Sequence, residues 1–395
     1  MNRCDQVNAK GVLMNSVAAA QGQINFIDLA AQRRRLGVRI DHAIQNVLEH
    51  GQYILGPEVT ALEQRLAEFT GADHALSCAS GTDALAMLLM AWHVGPGDAV
   101  FVPAFTFVAT AEVAAWLGAS VVFCDVKPDT FNLDPASLEA AISVAKAAGL
   151  NPRVVIAVDL FGQPADYYSI MEIAQVYRLK VLADAAQSFG ATLDGKRVGT
   201  FGDATATSFF PAKPLGCYGD GGAILINDHS IASVLESIRM HGKGSHRYEH
   251  VRVGINGRLD TMQAAILLEK LNIFDDEIEA RNRIAARYAQ ALSGHVVTPE
   301  VKSNARSVWA QYTICIEGGR DLVAERMRAA GVPTAIHYPI PLHHQPAYRD
   351  QLRAAPVLPI AEMLSDQVLS LPMHPYLEPT TQDYIVEALV SAVTS

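Results

Sequence analysis

The residues best placed to do chemistry lie in SFFPAKPLGCYGDGGAI, residues 208–224, where Lys213 follows Phe209 and Phe210 and precedes Gly216, Gly219, Gly221 and Gly222. Apolar flanks predict a buried site, and a buried ammonium is costly unless it is paired or loses its charge. A neutral amine held there is both a base and a nucleophile that condenses with aldehydes. Other stretches offer complements. Ser80-Gly81-Thr82-Asp83 combines hydroxyls, a glycine that admits close backbone approach and, at a helix start, free N–H groups that suit a phosphate; an ordinary helix cap reads the same way. Phe107, in Ala104-Phe105-Thr106-Phe107, is a ring for stacking or a plain core residue. Asp184, near the end of KVLADAA with Gln187 beyond it, needs a partner, either a protonated ring nitrogen or a structural cation. Ser208 adds a hydroxyl just before the lysine.

These residues have to be positioned by the elements that carry them. Apolar runs at HALSCAS (74–80), DAVFVP (98–103), SVVFCDV (120–126), RVVIAVDL (153–160), KVLADAA (180–186), ATATSFF (204–210) and GAILIND (222–228) alternate with helical patterns such as TDALAMLLMAWHV and TAEVAAWLG. Continuous rather than alternating apolar runs predict strands covered on both faces, and strand–helix alternation predicts a mostly parallel, seven-stranded sheet with crossover helices. Ligands of such sheets sit beyond the carboxyl ends of the strands. Ser80–Thr82, Phe107, Asp184, Ser208 and Lys213 all follow such ends. Together they supply a phosphate cradle, an aromatic platform, a carboxylate for a ring nitrogen and a reactive amine, a combination that pyridoxal 5′-phosphate (PLP) requires. The stretch 262–292 predicts one long helix, and residues beyond it, with WAQYTICIE as a strand and DLVAERMRAAG as a helix, predict a smaller α+β domain. The expected division is a loose tail over 1–23, a large α/β domain over 24–275 and a small domain over 276–395.

Composition narrows the partners. Half of the 395 residues are hydrophobic and the formal net charge is −10, which argues against nucleic acid and anionic membranes. No apolar run is long enough to span a bilayer. Cys4, Cys78, Cys124, Cys217 and Cys315 are widely spaced and lack a C-x-x-C pattern, as expected for reduced thiols in a cytoplasm. Lys10 ahead of GVLMNSVAAAQG imitates a secretory leader, but Asn15 and Ser16 interrupt its apolar run. His343 and His344 invite a metal reading for which no third ligand has convincing spacing, so no metal is expected. Cys217 reads as a packing residue rather than a nucleophile, and Tyr248 and His250 as part of a lid.

GQYILGPEV, SGTDAL, PAFTFVATAE, ADAAQSFGA, SFFPAKPLGCYGDGGAI, RLDTMQAAIL and HYPIPLH, spread from Ile24 to the C-terminus, make the sequence resemble the DegT/DnrJ/EryC1/StrS sugar aminotransferases, which are fold type I PLP-dependent enzymes. Ala183 departs from the glutamate many relatives carry. The resemblance implies that Lys213 holds PLP through its amine, that Asp184 faces the pyridine nitrogen and that Gln187 contacts the ring substituents. It also implies that Phe107 stacks on the ring, that Gly81, Thr82 and Ser208 hold the phosphate, and that Asn256 completes the phosphate site of a neighbouring subunit, hence a homodimer with shared active sites. L-Glutamate would donate the amine. Several segments look closest to the branch that aminates C3 of UDP-2-acetamido-2-deoxy-3-keto-glucuronic acid for bacterial surface polysaccharide. The uronate carboxylate suits Arg258, with His337 and Tyr338 as companions; Arg258 could instead pair with Asp260. Amination of another keto-sugar, such as a 4-keto-6-deoxyhexose, and non-catalytic binding of PLP or a nucleotide-sugar are the alternatives. A nicotinamide dehydrogenase ranks last, because no G-x-G-x-x-G follows the first strand.

Overall fold

The computed structural model describes residues 23–246 and 248–394; the expected tail over 1–23 lies outside them apart from residue 23. All seven expected strands form: β1 (His74–Cys78), β2 (Asp98–Pro103), β3 (Ser120–Cys124), β4 (Asn151–Val158), β5 (Lys180–Asp184), β6 (Ala204–Ser208) and β7 (Gly222–Ile226). Their order across the sheet is β1-β7-β6-β5-β4-β2-β3, and an eighth, two-residue strand, Leu352–Arg353, adds parallel to β3. Only β7 runs antiparallel, to β1 on one side and β6 on the other. The remaining pairs are parallel, so the carboxyl ends of β1, β2, β4, β5 and β6 open on one edge.

Valine, isoleucine, leucine and alanine fill these strands because helices cover both faces. Val100, Val121, Val155, Leu182 and Ile224 are fully buried. One face carries a core with Met87, Leu88 and Val113 from the helices Gly81–Ala91 and Ala109–Trp116; the other packs against Leu138, Ile142 and Ile170.

The expected single helix over 262–292 is two, Thr261–Leu271 and Phe274–Leu292, because Ile273 leaves helical geometry (φ −114°, ψ 2°). The break serves packing. Ile266 and Ile273 meet Leu36 and Ile40, whereas Phe274 and Ile278 join the core beneath the lysine segment. Farther along the second helix, Ile284, Tyr288 and Leu292 enter a separate core with Tyr312, Ile314, Met327, Leu369 and Leu389. There the strand Tyr312–Cys315 pairs antiparallel with Val368–Leu371. Residues 342–368 do not stay with that second core: Leu342, Tyr348, Leu358 and Leu364 pack on the large sheet's core. No helix among the described residues is long and apolar enough to cross a membrane.

Candidate active site

Ser80 caps the helix Gly81–Ala91, its hydroxyl accepting from Asp83 N at 3.0 Å and its carbonyl from Ala84 N at 3.0 Å. The N–H groups of Gly81 and Thr82 have no acceptor among the described residues and stand at the positive end of the helix dipole. Gly81 has a steric reason to be glycine: a Cβ there would lie 2.7 Å from Ser208 Cβ. That contact brings the end of β6, with its Ser208 hydroxyl, against the start of the helix, so donor groups suited to a phosphate lie together there.

Asp184 ends β5 and is buried. One carboxylate oxygen accepts from Ala186 N at 3.2 Å and the other from Thr110 Oγ1 at 3.2 Å. Burial pushes its pKa up, and those bonds and the positive charge of Lys213 pull against that shift. Lys213 shows the reciprocal pattern: burial lowers its pKa and the Asp184 carboxylate holds it up. The two strand ends thus place amine and carboxylate in one electrostatic unit. Lys213 N donates to Phe210 O at 2.8 Å, Cys217 N returns to Phe209 O at 2.8 Å, and Lys270 Nζ donates to Gly216 O at 2.6 Å, which fixes the lysine loop from below.

Gln187 Oε1 accepts from Phe161 N at 2.7 Å, and its Nε2 faces Tyr338 Oη at 3.3 Å. Phe107 is half-exposed, with its ring 6.3 Å from that of Tyr338, so its face is available for stacking. His337 bonds Ser370 through Nδ1 at 3.2 Å; burial, and then the charge of Lys213, lower its pKa. The expected substrate pair His337-Tyr338 therefore borders Lys213, Gln187 and Phe107.

Asn256 and Arg258 stand apart. Asn256 is exposed and bridges Met240, while Arg258 touches Met240 Sδ at 4.0 Å. Neither bonds to the Lys213 group, and the alternative pairing of Arg258 with Asp260 does not form; Arg258 makes no ion pair among the described residues. Cys217 is buried, with its thiol pushed up to about 11, which suits packing rather than nucleophilic attack. His250 Nδ1 sits 2.8 Å from His241 O.

Sequence reasoning missed the supports. Thr110 reaches Asp184 from one helical turn beyond Thr106 (their hydroxyl oxygens lie 3.4 Å apart), and Phe161 N orients Gln187. Asp159, at the end of β4, accepts from Ala165 N (2.7 Å), Tyr167 Oη (2.8 Å) and Ser188 Oγ (2.6 Å) directly beneath Gln187. Asp159 followed a strand end as Asp184 did, and that position was its only signal.

A helix-start N–H pair, a buried carboxylate coupled to a partly buried lysine, and an exposed aromatic face are the parts of a PLP site, and with this doubly covered sheet they define a PLP-dependent transferase of fold type I. The DegT/DnrJ/EryC1/StrS aminotransferase family model matches residues 35–390, and the chain belongs to that family. It is 52% identical over 369 residues, 93% of this chain and 100% of the relative, to the UDP-2-acetamido-2-deoxy-3-oxo-D-glucuronate aminotransferase of Pseudomonas aeruginosa. A crystal structure of a DegT DnrJ EryC1 StrS aminotransferase from Brucella abortus superposes with a TM-score of 0.92 at 51% identity, covering 94% of this chain and 100% of that one. NtdA from Bacillus subtilis with bound cofactor PMP gives a TM-score of 0.83 at 29% identity, covering 94% and 83%. The chain is a PLP-dependent aminotransferase.

Proposed function

We propose that the enzyme moves an amino group from L-glutamate to the C3 ketone of UDP-2-acetamido-2-deoxy-3-keto-glucuronic acid, serving bacterial surface polysaccharide (O-antigen) synthesis in the cytoplasm. The observation that carries the substrate is the 52% identity, over the relative's whole length, to the P. aeruginosa enzyme. PLP supplies an aldehyde that binds amines and a protonated ring that withdraws electrons from the reacting carbon.

The chain's own residues do the rest. Lys213 Nζ would hold the cofactor, and as a free amine it would be the base that moves the proton at the amine-bearing carbon; the depressed pKa favours its neutral form. The Asp184 carboxylate, aimed by Thr110 and Ala186 N, would keep a proton on the ring nitrogen. Gly81, Thr82 and Ser208 would grip the phosphate, Phe107 would stack on the ring and Gln187 would contact its substituents, with His337 and Tyr338 on the substrate side. Lys213 and Asp184 also speak against a pure sensor, which has no need of a proton-transfer pair.

On this reading the working unit is a homodimer. Asn256, exposed and unbonded to the Lys213 group, completes the neighbouring copy's phosphate site, and Arg258, without an ionic partner among the described residues, receives the uronate carboxylate there. We place the division of the chain near residue 275, with residues 342–368 packing back on the large sheet. Arg258→Ala tests the substrate: kcat/KM for the 3-keto uronate should fall by about 100-fold, the scale of a lost charge-assisted pair, while turnover of a neutral keto-sugar holds. Equal activity on the uronate would leave the aminotransferase standing and remove this substrate, with a 4-keto-6-deoxyhexose next to try.

A further inference from the structure

The histidine pair left unexplained by the sequence has a third member in space. His343 and His344 end a short turn, Leu342–His344, and the helix Pro359–Gln367 brings Glu362 to both of them. His343 Nε2 lies 3.1 Å and His344 Nε2 3.5 Å from the same oxygen, Glu362 Oε1. The three donor atoms fall within 4.8 Å of one another, and no other such group exists among the described residues. His343 is buried, Glu362 is about one-third exposed and His344 half-exposed, so the site has a rigid wall and a route from solvent.

We propose that His343, His344 and Glu362 form a binding site for a first-row divalent cation, with zinc the best match. Two imidazoles and a carboxylate are a zinc donor set that leaves the fourth tetrahedral position to water, on the solvent side where His344 lies. A cation placed among the three would take the Glu362 oxygen that both Nε2 atoms now approach. Glu362 is already aimed, because Oε1 also accepts from Leu358 N at 3.3 Å. Arg353, the cation felt at His343, turns its guanidinium to the carbonyls of Pro356 and Arg349, each at 3.2 Å. His343 Nδ1 is buried without a partner among the described residues. It therefore lacks the acceptor that strengthens tight zinc sites, and an affinity about 10- to 100-fold below theirs follows.

The site's position gives it a structural part. Leu342 N, in the histidine turn, donates to Ala104 O at 2.8 Å, three residues before the Phe107 ring, and Phe123 of β3 lies 6.4 Å from His343. A cation would tie that turn to the helix behind it and brace the aromatic platform without taking part in amine transfer.

The test is calorimetric titration of the tag-free, PLP-loaded enzyme with Zn²⁺, repeated with Co²⁺ to read the visible absorption of a four-coordinate ion. One ion per chain is expected. His344→Ala and Glu362→Gln, both at solvent-reachable positions, should each weaken binding at least about tenfold while keeping the PLP absorption band that reports an intact fold. His74→Ala removes another close histidine pair, His74–His229 at 2.6 Å, and should leave binding unchanged. Saturating Zn²⁺ should raise the wild-type Tm by about 3 °C, and in a variant that binds tenfold more weakly that rise should fall to about half. Binding that survives both site variants, or that disappears with His74→Ala, overturns the proposal, as does a wild-type affinity no better than that of His344→Ala.

Discussion

Replacing Gly81 by alanine tests how closely the phosphate cradle is built. The added Cβ would meet Ser208 Cβ at 2.7 Å, Ser208 Cα at 3.2 Å and Ser208 Oγ at 3.2 Å, and the first of these is closer than carbon atoms approach without displacement. Either the helix Gly81–Ala91 or the end of β6 must retreat by about 1 Å, a cost of about 1–3 kcal/mol for overpacking. With an unfolding entropy near 2.1 cal/mol/K per residue over 395 residues, that lowers Tm by about 1–4 °C. The retreat also pulls the Gly81 and Thr82 N–H groups from the phosphate. PLP affinity should then fall about 5- to 150-fold, as read by titrating the cofactor-free enzyme and following visible absorbance. Ser208→Gly removes two of the three clashing atoms, so the double variant should be more stable than the sum of the single losses by about 1 kcal/mol or more. Unchanged PLP affinity in Gly81→Ala, or strict additivity in the cycle, refutes the cradle as described.

Two further outcomes follow from the buried carboxylates. Asp184→Asn cannot hold a proton on the ring nitrogen, so the glutamate half-reaction should slow by about 10²- to 10⁴-fold in stopped-flow while the bound-PLP band remains; a slowing under about threefold would remove its role. Burial raises the pKa of Asp159 to about 7 despite its three hydrogen bonds. A raised folded pKa means that its stabilising contribution is whole below the unfolded value near 3.9 and is lost as pH rises through about 7. About 4 kcal/mol, or about 5 °C, is at stake between those limits, so wild-type Tm should fall more between pH 5 and pH 8 than that of Asp159→Asn. Parallel Tm curves would contradict the shift.

The main sheet was legible because its strands are covered on both faces, which leaves unbroken apolar runs such as VVFC and AILI, and strand ends then pointed to Ser80–Thr82, Asp184 and Ser208. What escaped was set by tertiary packing. The strand Leu352–Arg353 is too short to carry a pattern, and the break at Ile273 follows from which cores Ile266 and Phe274 must reach. Glu362 stands eighteen residues after His344 and is brought to it by a helix packed on the sheet, so no local spacing could announce it. Arg258 was legible as a cation with work to do, but within the single chain it forms no ion pair among the described residues.

The central claim is that Lys213 carries PLP through both halves of an amine transfer. It is tested most directly by the absorption spectrum of the purified enzyme, recorded before and after L-glutamate and again after the 3-keto uronate. The account predicts a visible band that gives way to the near-ultraviolet band of pyridoxamine phosphate with glutamate and returns with the keto-sugar, all of it lost in Lys213→Ala. Absence of any visible band after incubation with PLP, or full turnover by Lys213→Ala, would contradict it.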